Sequence, residues 1–192
     1  MSRAAILAQI KKHKPELEVL PEITTYKRND LDLVEQFKKV LLQVGGQVIE
    51  IDEKDIAVNI KKQFGKLRFI ACNDKSLEVA TVNSNDITES REFRTLDLVV
   101  LRCGFGVAEN AAVWLSSSDL SHRVLPFIAE HSVFIVPKKE LVWNMHEAYK
   151  RVDLLDTNGF GVFISGPSKT ADIEQSLVIG AHGAKSLIVY LI

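Results

Sequence analysis

The chain has 192 residues, 24 Lys+Arg against 25 Asp+Glu, and a net charge of −1. Hydrophobic residues make up 46% and charged residues 26%, which excludes a disordered chain because enough apolar side chain is present to build a core. The balanced charge excludes a global basic field of the kind that holds nucleic acid, and no stretch approaches the roughly 20 apolar residues of a membrane span.

In chain order, Ser2 is placed to cap a first helix running to about Lys12, with Ile6, Leu7 and Ile10 at helical spacing. Lys14-Pro15 ends it, because the residue before proline avoids the helical region. The run Lys11-Lys12-His13-Lys14 reads as a solvated helix end rather than a nucleic-acid patch. The opening MSRAAILAQIKKHKPELEVL has no uninterrupted apolar region and no small-residue cleavage site, so no signal peptide is expected and the protein is assigned to the cytoplasm. Residues 1–30 are expected to form this helix and an irregular arm, and 31–192 a single domain.

The segment LDLVEQFKKVLLQV (31–44) predicts a helix with Phe37, Val40, Leu41 and Val44 on one face, Asp30 as N-cap and Gly45-Gly46 as the stop. The period then changes. QVIEI (47–51) predicts a strand, 53–64 a helix, and LRFIAC (67–72) and LDLVVL (96–101) strands covered on both faces. AAVWL (111–115) predicts a strand that forms a hairpin with 106–108. The polar loop SSSDLSHR (116–123), a strand at 132–137 and a helix at 139–152 follow. In that helix Leu141, Met145 and Ala148 would share one side. GVFISG (161–166) predicts a strand, 170–180 a helix, and KSLIVYLI (185–192) a last strand. This alternation is that of an α/β protein, a layered and mostly parallel sheet flanked by helices. Cys72 and Cys103 end apolar runs and lack metal-ligand spacing, so both read as small buried hydrophobes.

The richest chemistry lies at 161–174. An apolar strand enters a bend made of Ser165, Gly166, Pro167 and Ser168, and the predicted helix starts near Lys169 and Thr170. A helix start gathers unpaired N–H groups and the positive end of the helix dipole, which would hold an anion such as a phosphate or a carboxylate. In a parallel sheet that point is expected at the carboxyl edge of the strands. A plain capping role for Ser168 or Thr170, with Asp172 and Glu174 compensating the dipole, fits the same spacing. The turn is neither GxxxxGK[ST] nor GxGxxG.

The run SGPSKTADIEQSLVIGAHGAKSLIVYLI resembles the C-terminal signature of the LUD-domain family, which reads roughly S-G-x-S-x-T-A-D-I-E, an apolar stretch, G-x-H-G-P and a terminal strand. Ser165, Gly166, Ser168, Thr170, Ala171, Asp172, Ile173, Glu174, Gly180, His182 and Gly183 match, and Ala184 replaces the proline. A second block, A-E-T-G-T in the family, is similar at Ala108-Glu109 but continues Asn110-Ala111-Ala112, which loses two hydroxyls. Arg123, Pro126 and His131 resemble a third block. The resemblance spans about residues 30–192. It implies a ribose-5-phosphate-isomerase/CoA-transferase-like fold and a role beside iron–sulfur partner proteins in oxidising L-lactate to pyruvate. It brings no assigned acid or base.

These readings make Glu109 and Asp172 the candidate catalytic carboxylates. Ser165, Gly166, Ser168, Lys169, Thr170, Arg123, His131 and His182 are the candidate contacts to a small anionic ligand. His131, His182 and Glu109 share no close ligand motif, so no metal is expected. No cofactor of the chain's own is expected either, since two separated cysteines cannot hold a four-thiolate cluster and redox chemistry would reside in the partners. A stand-alone enzyme acting on a phosphorylated or CoA-linked substrate, and a non-catalytic ligand-binding scaffold, remain the alternatives.

Overall fold

The apolar runs of the sequence become strands, and the amphipathic runs between them cover those strands. The computed structural model describes residues 2–16, 18–19, 30–152, 159–171 and 177–192. Its helices are α1 (Arg3–Lys12), α2 (Leu33–Gln43), α3 (Ile56–Phe64), α4 (Leu125–Ile128) and α5 (Met145–Arg151). Its strands are β1 (Gln47–Glu50), β2 (Ile70–Cys72), β3 (Leu98–Arg102), β4 (Phe105–Val107), β5 (Ala112–Ser116), β6 (His131–Val136), β7 (Leu141–Val142), β8 (Gly161–Ile164), β9 (Lys169–Ala171), β10 (Leu177–Ile179) and β11 (Ser186–Leu191).

Five strands form a parallel sheet in the order β1-β11-β6-β3-β2. Four more form a second, mixed sheet in the order β7-β4-β5-β8, which contains the expected hairpin of β4 and β5. Alternation along the central strands divides the core. Leu98, Val100, Val133, Ile135, Ile188 and Tyr190 meet Ile56 and Ile60 of α3 on one face. Val99, Leu101, Phe134, Val136, Leu187 and Val189 meet Phe37 and Leu41 of α2, together with Val113 and Leu115 of the second sheet, on the other. A third cluster, with Phe105, Trp114 and Ala148, joins the far side of the second sheet to α5. The result is a layered, mostly parallel α/β fold, as expected.

Several boundaries differ from the sequence reading. The cap of α2 is Asp32, not Asp30: its Oδ1 accepts the amides of Val34 at 3.0 Å and Glu35 at 3.1 Å. The strand expected from Leu67 starts at Ile70, because the amides of Arg68 and Phe69 are taken by Asp97 Oδ2, each at 2.9 Å. The helix expected from 139 begins only at Met145. Leu141 and Val142 are captured as β7 by Gly106 and Val107, and the Asn144 side chain then caps α5 by accepting the Glu147 amide at 3.0 Å. Helix α1 forms behind its Ser2 cap but buries no residue.

The largest departure is at 170–180. The described parts of this segment are not helical but form an antiparallel hairpin, with Lys169 opposite Ile179 and Thr170 opposite Val178. Extended backbone suits the β-branched side chains of Thr170, Val178 and Ile179, and the Gly180 amide on the Ser168 carbonyl at 3.0 Å continues the pairing at the open end of the hairpin. Residues 172–176 lie outside the described residues.

Candidate ligand site at the signature bend

Strand β8 delivers the chain into the bend at 165–168. Gly166 has φ +73°, and a Cβ there would lie 2.8 Å from the Val44 carbonyl oxygen, so the turn needs a residue without a side chain. Ser165 Oγ donates to the Asn110 carbonyl at 2.6 Å. This bond ties the bend to the turn that carries Glu109. The Ser168 amide donates to the Ala184 carbonyl at 2.9 Å. Lys169 and Thr170 lie in β9, so no helix starts there among the described residues, and the Ser168 amide is spent on the protein itself.

A cavity nevertheless opens beside the bend. It has a volume of about 320 Å³. Phe134, Phe163, Leu187, Pro126 and Phe127 form its apolar wall, and Ser165, Ser168, Lys169 and His182 supply its polar groups. It borders the amino-terminal parts of β6 and β11, not the carboxyl edge of the central sheet, because β8 belongs to the second sheet. Gly183 lets the chain pass closely, since a Cβ there would sit 3.0 Å from the Ser168 side chain.

The cavity thus gathers Ser165, Gly166, Ser168, Lys169 and His182. Other candidates lie elsewhere. Glu109 Oε2 accepts the Met145 amide at 3.0 Å, so its carboxylate sits at the start of α5 and outside the cavity lining. His131 faces the opposite side of the central sheet, where Nδ1 and Ser186 Oγ are 2.7 Å apart and Phe64 packs on the ring. Arg123 lies over the Phe160 ring at 4.9 Å. Thr170 is paired in the hairpin and does not line the cavity. Asp172 lies outside the described residues.

Ser132 is the residue the sequence reading passed over. It lines the same cavity, is 1% exposed, and its hydroxyl has no hydrogen-bond partner among the described residues. An unpaired buried hydroxyl costs about 1–3 kcal/mol. The signal was present in the sequence: in SVFIVP the serine falls in phase with Phe134 and Val136, a polar residue at a core-facing position.

A second and larger hollow, about 670 Å³, lies at the carboxyl end of β2, between the loop that follows it and residues 118–121. Its polar groups are mostly spent within the protein. The Asn73 amide group donates to the carbonyls of Arg102 and Asp119 at 3.2 and 3.0 Å and accepts the Arg102 amide at 2.8 Å. The Arg102 guanidinium bridges Asp74 and Glu53. Burial alone would raise the Asp74 carboxyl, but hydrogen bonds from Ser76 and Arg102 outweigh it and hold the group below its ordinary value. Asp119 Oδ2 accepts the amide and the hydroxyl of Ser116 at 3.0 and 2.6 Å. Burial pushes the Cys72 thiol up to about 11 and Cys103 upward as well, which makes both poor nucleophiles. Neither thiol is in a disulfide.

This layered sheet with its bend cavity defines a class. The profile of the LUD domain matches residues 18–192, and the chain belongs to that family. Among individual relatives, lactate utilization protein C of Exiguobacterium sp. (strain ATCC BAA-1283 / AT1b) is 25% identical over 189 residues, covering 89% of this chain and 80% of the relative. The protein of the same name from Halalkalibacterium halodurans is 26% identical over 194 residues, covering 88% and 84%. Among solved structures, a DUF162 family protein from Deinococcus radiodurans superposes with a TM-score of 0.65 at 16% identity, over 83% of this chain and 95% of that one. It shares the fold.

Among the described residues, no helix is long and apolar enough to cross a membrane.

Proposed function

We propose that this protein is a lactate-utilisation component whose bend cavity holds a small carboxylate, lactate or pyruvate, while iron–sulfur partner proteins carry the electrons. Oxidation of L-lactate to pyruvate releases two electrons and two protons. Cys72 and Cys103 lie at different strands' ends and are too few for a four-thiolate cluster, which fits an iron–sulfur partner as the electron acceptor. The observation that carries the reading is the cavity itself. Five of the candidate residues line it, among them Lys169 and the hydroxyl-bearing Ser165 and Ser168, beside an apolar wall. A carboxylate with a short alkyl body matches that division into polar and apolar sides. The names of the relatives point the same way.

Titration by NMR or calorimetry tests the carboxylate. L-Lactate and pyruvate are expected to shift the amides of the bend and to bind the Lys169→Ala variant more weakly. Saturation by a sugar phosphate or coenzyme A, with no response to either acid, would replace this reading by an enzyme of phosphorylated or CoA-linked substrates. Affinity purification from cells grown on lactate tests the partners and is expected to recover a cysteine-rich iron–sulfur protein.

A further inference from the structure

Strand β6 carries Ser132, Phe134 and Val136 on the face that packs against α2 and the second sheet, and the last two enter the core there. Burial alone would favour alanine at the first position, because it leaves no polar atom unpaired. The serine hydroxyl instead stands buried without a partner among the described residues, on a residue that lines the bend cavity. Unpaired buried hydroxyls are rare in folded proteins, and a ligand atom is one of the few things that satisfies them. Around it the cavity is apolar, through Phe134 and Leu187, while Lys169 and Ser168 lie among its polar groups.

Building on the carboxylate reading above, we propose that Ser132 is a specificity-determining residue of this cavity, selecting 2-hydroxy and 2-oxo acids over simple carboxylic acids. The carboxylate sits among the polar groups with Lys169 and Ser168. The oxygen on the neighbouring carbon reaches the Ser132 hydroxyl, and the alkyl group lies on the apolar wall. Serine serves both oxidation levels, because its hydroxyl donates to the oxo oxygen of pyruvate and either donates to or accepts from the hydroxyl of lactate. Propionate, which lacks that oxygen, leaves Ser132 unpaired.

The test is calorimetric titration of the full chain with L-lactate, pyruvate and propionate, repeated for Ser132→Ala, Ser132→Cys and Lys169→Ala. The full chain is expected to bind lactate and pyruvate roughly tenfold more tightly than propionate, the value of one net hydrogen bond. Ser132→Ala is expected to bring all three acids to the propionate level and to leave propionate itself unchanged. Its thermal midpoint should equal or exceed that of the parent, since an unpaired hydroxyl has been removed. Ser132→Cys, close in size and a weak donor, should also lose the preference, which keeps the test decisive if the alanine variant folds poorly. A preference that survives both substitutions, or no preference in the parent while Lys169→Ala weakens all three acids, overturns the role of Ser132 and leaves the carboxylate site standing. Failure of all three acids to bind the parent overturns both.

Discussion

The two hollows on the central sheet differ in where their polar groups find partners. The larger, at the carboxyl end of β2, is lined with amides, hydroxyls and carboxylates, yet Asn73 and Asp74 spend theirs on the Asp119 carbonyl and on Arg102, and Asp119 its carboxylate on Ser116. The smaller, beside the bend, has fewer polar groups, but one of its residues, Ser132, carries a buried hydroxyl without a partner among the described residues. Volume and polarity would select the first, and hydrogen-bond accounting selects the second. A lining already satisfied from within offers a ligand little in exchange for the water it displaces, whereas an unsatisfied group gains a full partner. The larger hollow is best understood as the place where three loops are pinned together.

This contrast can be broken by substitution. The largest effect is expected at the bend. In Gly166→Ala, a methyl 2.8 Å from the Val44 carbonyl, at φ +73°, should cost about 2–4 kcal/mol in urea unfolding and distort the cavity. A loss below about 1 kcal/mol would mean that the bend reshapes freely and cannot hold a defined site. Next, Arg102→Met releases Asp74 and Glu53 together and should cost about 2 kcal/mol, with carboxylate binding at the bend unchanged. Weakened binding in that variant would show that the two hollows are coupled.

Acid should act mainly at the carboxyl edge. There Glu50 is held at about 2 by hydrogen bonds from Lys138 and then Lys38, at 2.8 and 2.5 Å. Its folded-state pKa lies below the ordinary 4.5, so the unfolded chain takes up the proton first. The stabilisation is complete above the ordinary value and is lost as pH falls from about 5 towards 2. Lys138→Ala should flatten that dependence in unfolding measured at stepwise pH, and salt should weaken it in the parent because the groups are exposed. The smallest effect is expected at Ala111. It sits at φ +54° where the family's A-E-T-G-T block has glycine. Ala111→Gly should relieve local strain and raise stability by up to about 1 kcal/mol in thermal unfolding. A destabilised variant would show that the buried methyl outweighs the strain.

Much of the fold could be read from the residues because apolar runs such as LDLVVL and SVFIVP suit strands covered on both faces, and the 31–44 period suits a single helix. The segment at 170–180 could not, since its apolar spacing fits a helix and only pairing between Lys169-Thr170 and Val178-Ile179 decides for the hairpin. Likewise Leu141 and Val142 carry a helical pattern that the edge of β4 overrides. Ser165, Gly166, Ser168, Lys169 and His182 were legible as a group. The separate positions of Glu109 and His131 were not, because strand face and cap partner are settled by tertiary packing.

The placement of β11 bears on how the chain reaches this state. It lies between β1 and β6, and among the described residues β1 has no other strand beside it, so Gln47 waits for Ile188 before its edge is paired. Closing so long a loop is slow compared with forming a helix. Early intermediates should therefore carry an open, adhesive flank at β1 and β6, a stage at which a chaperone would find something to hold.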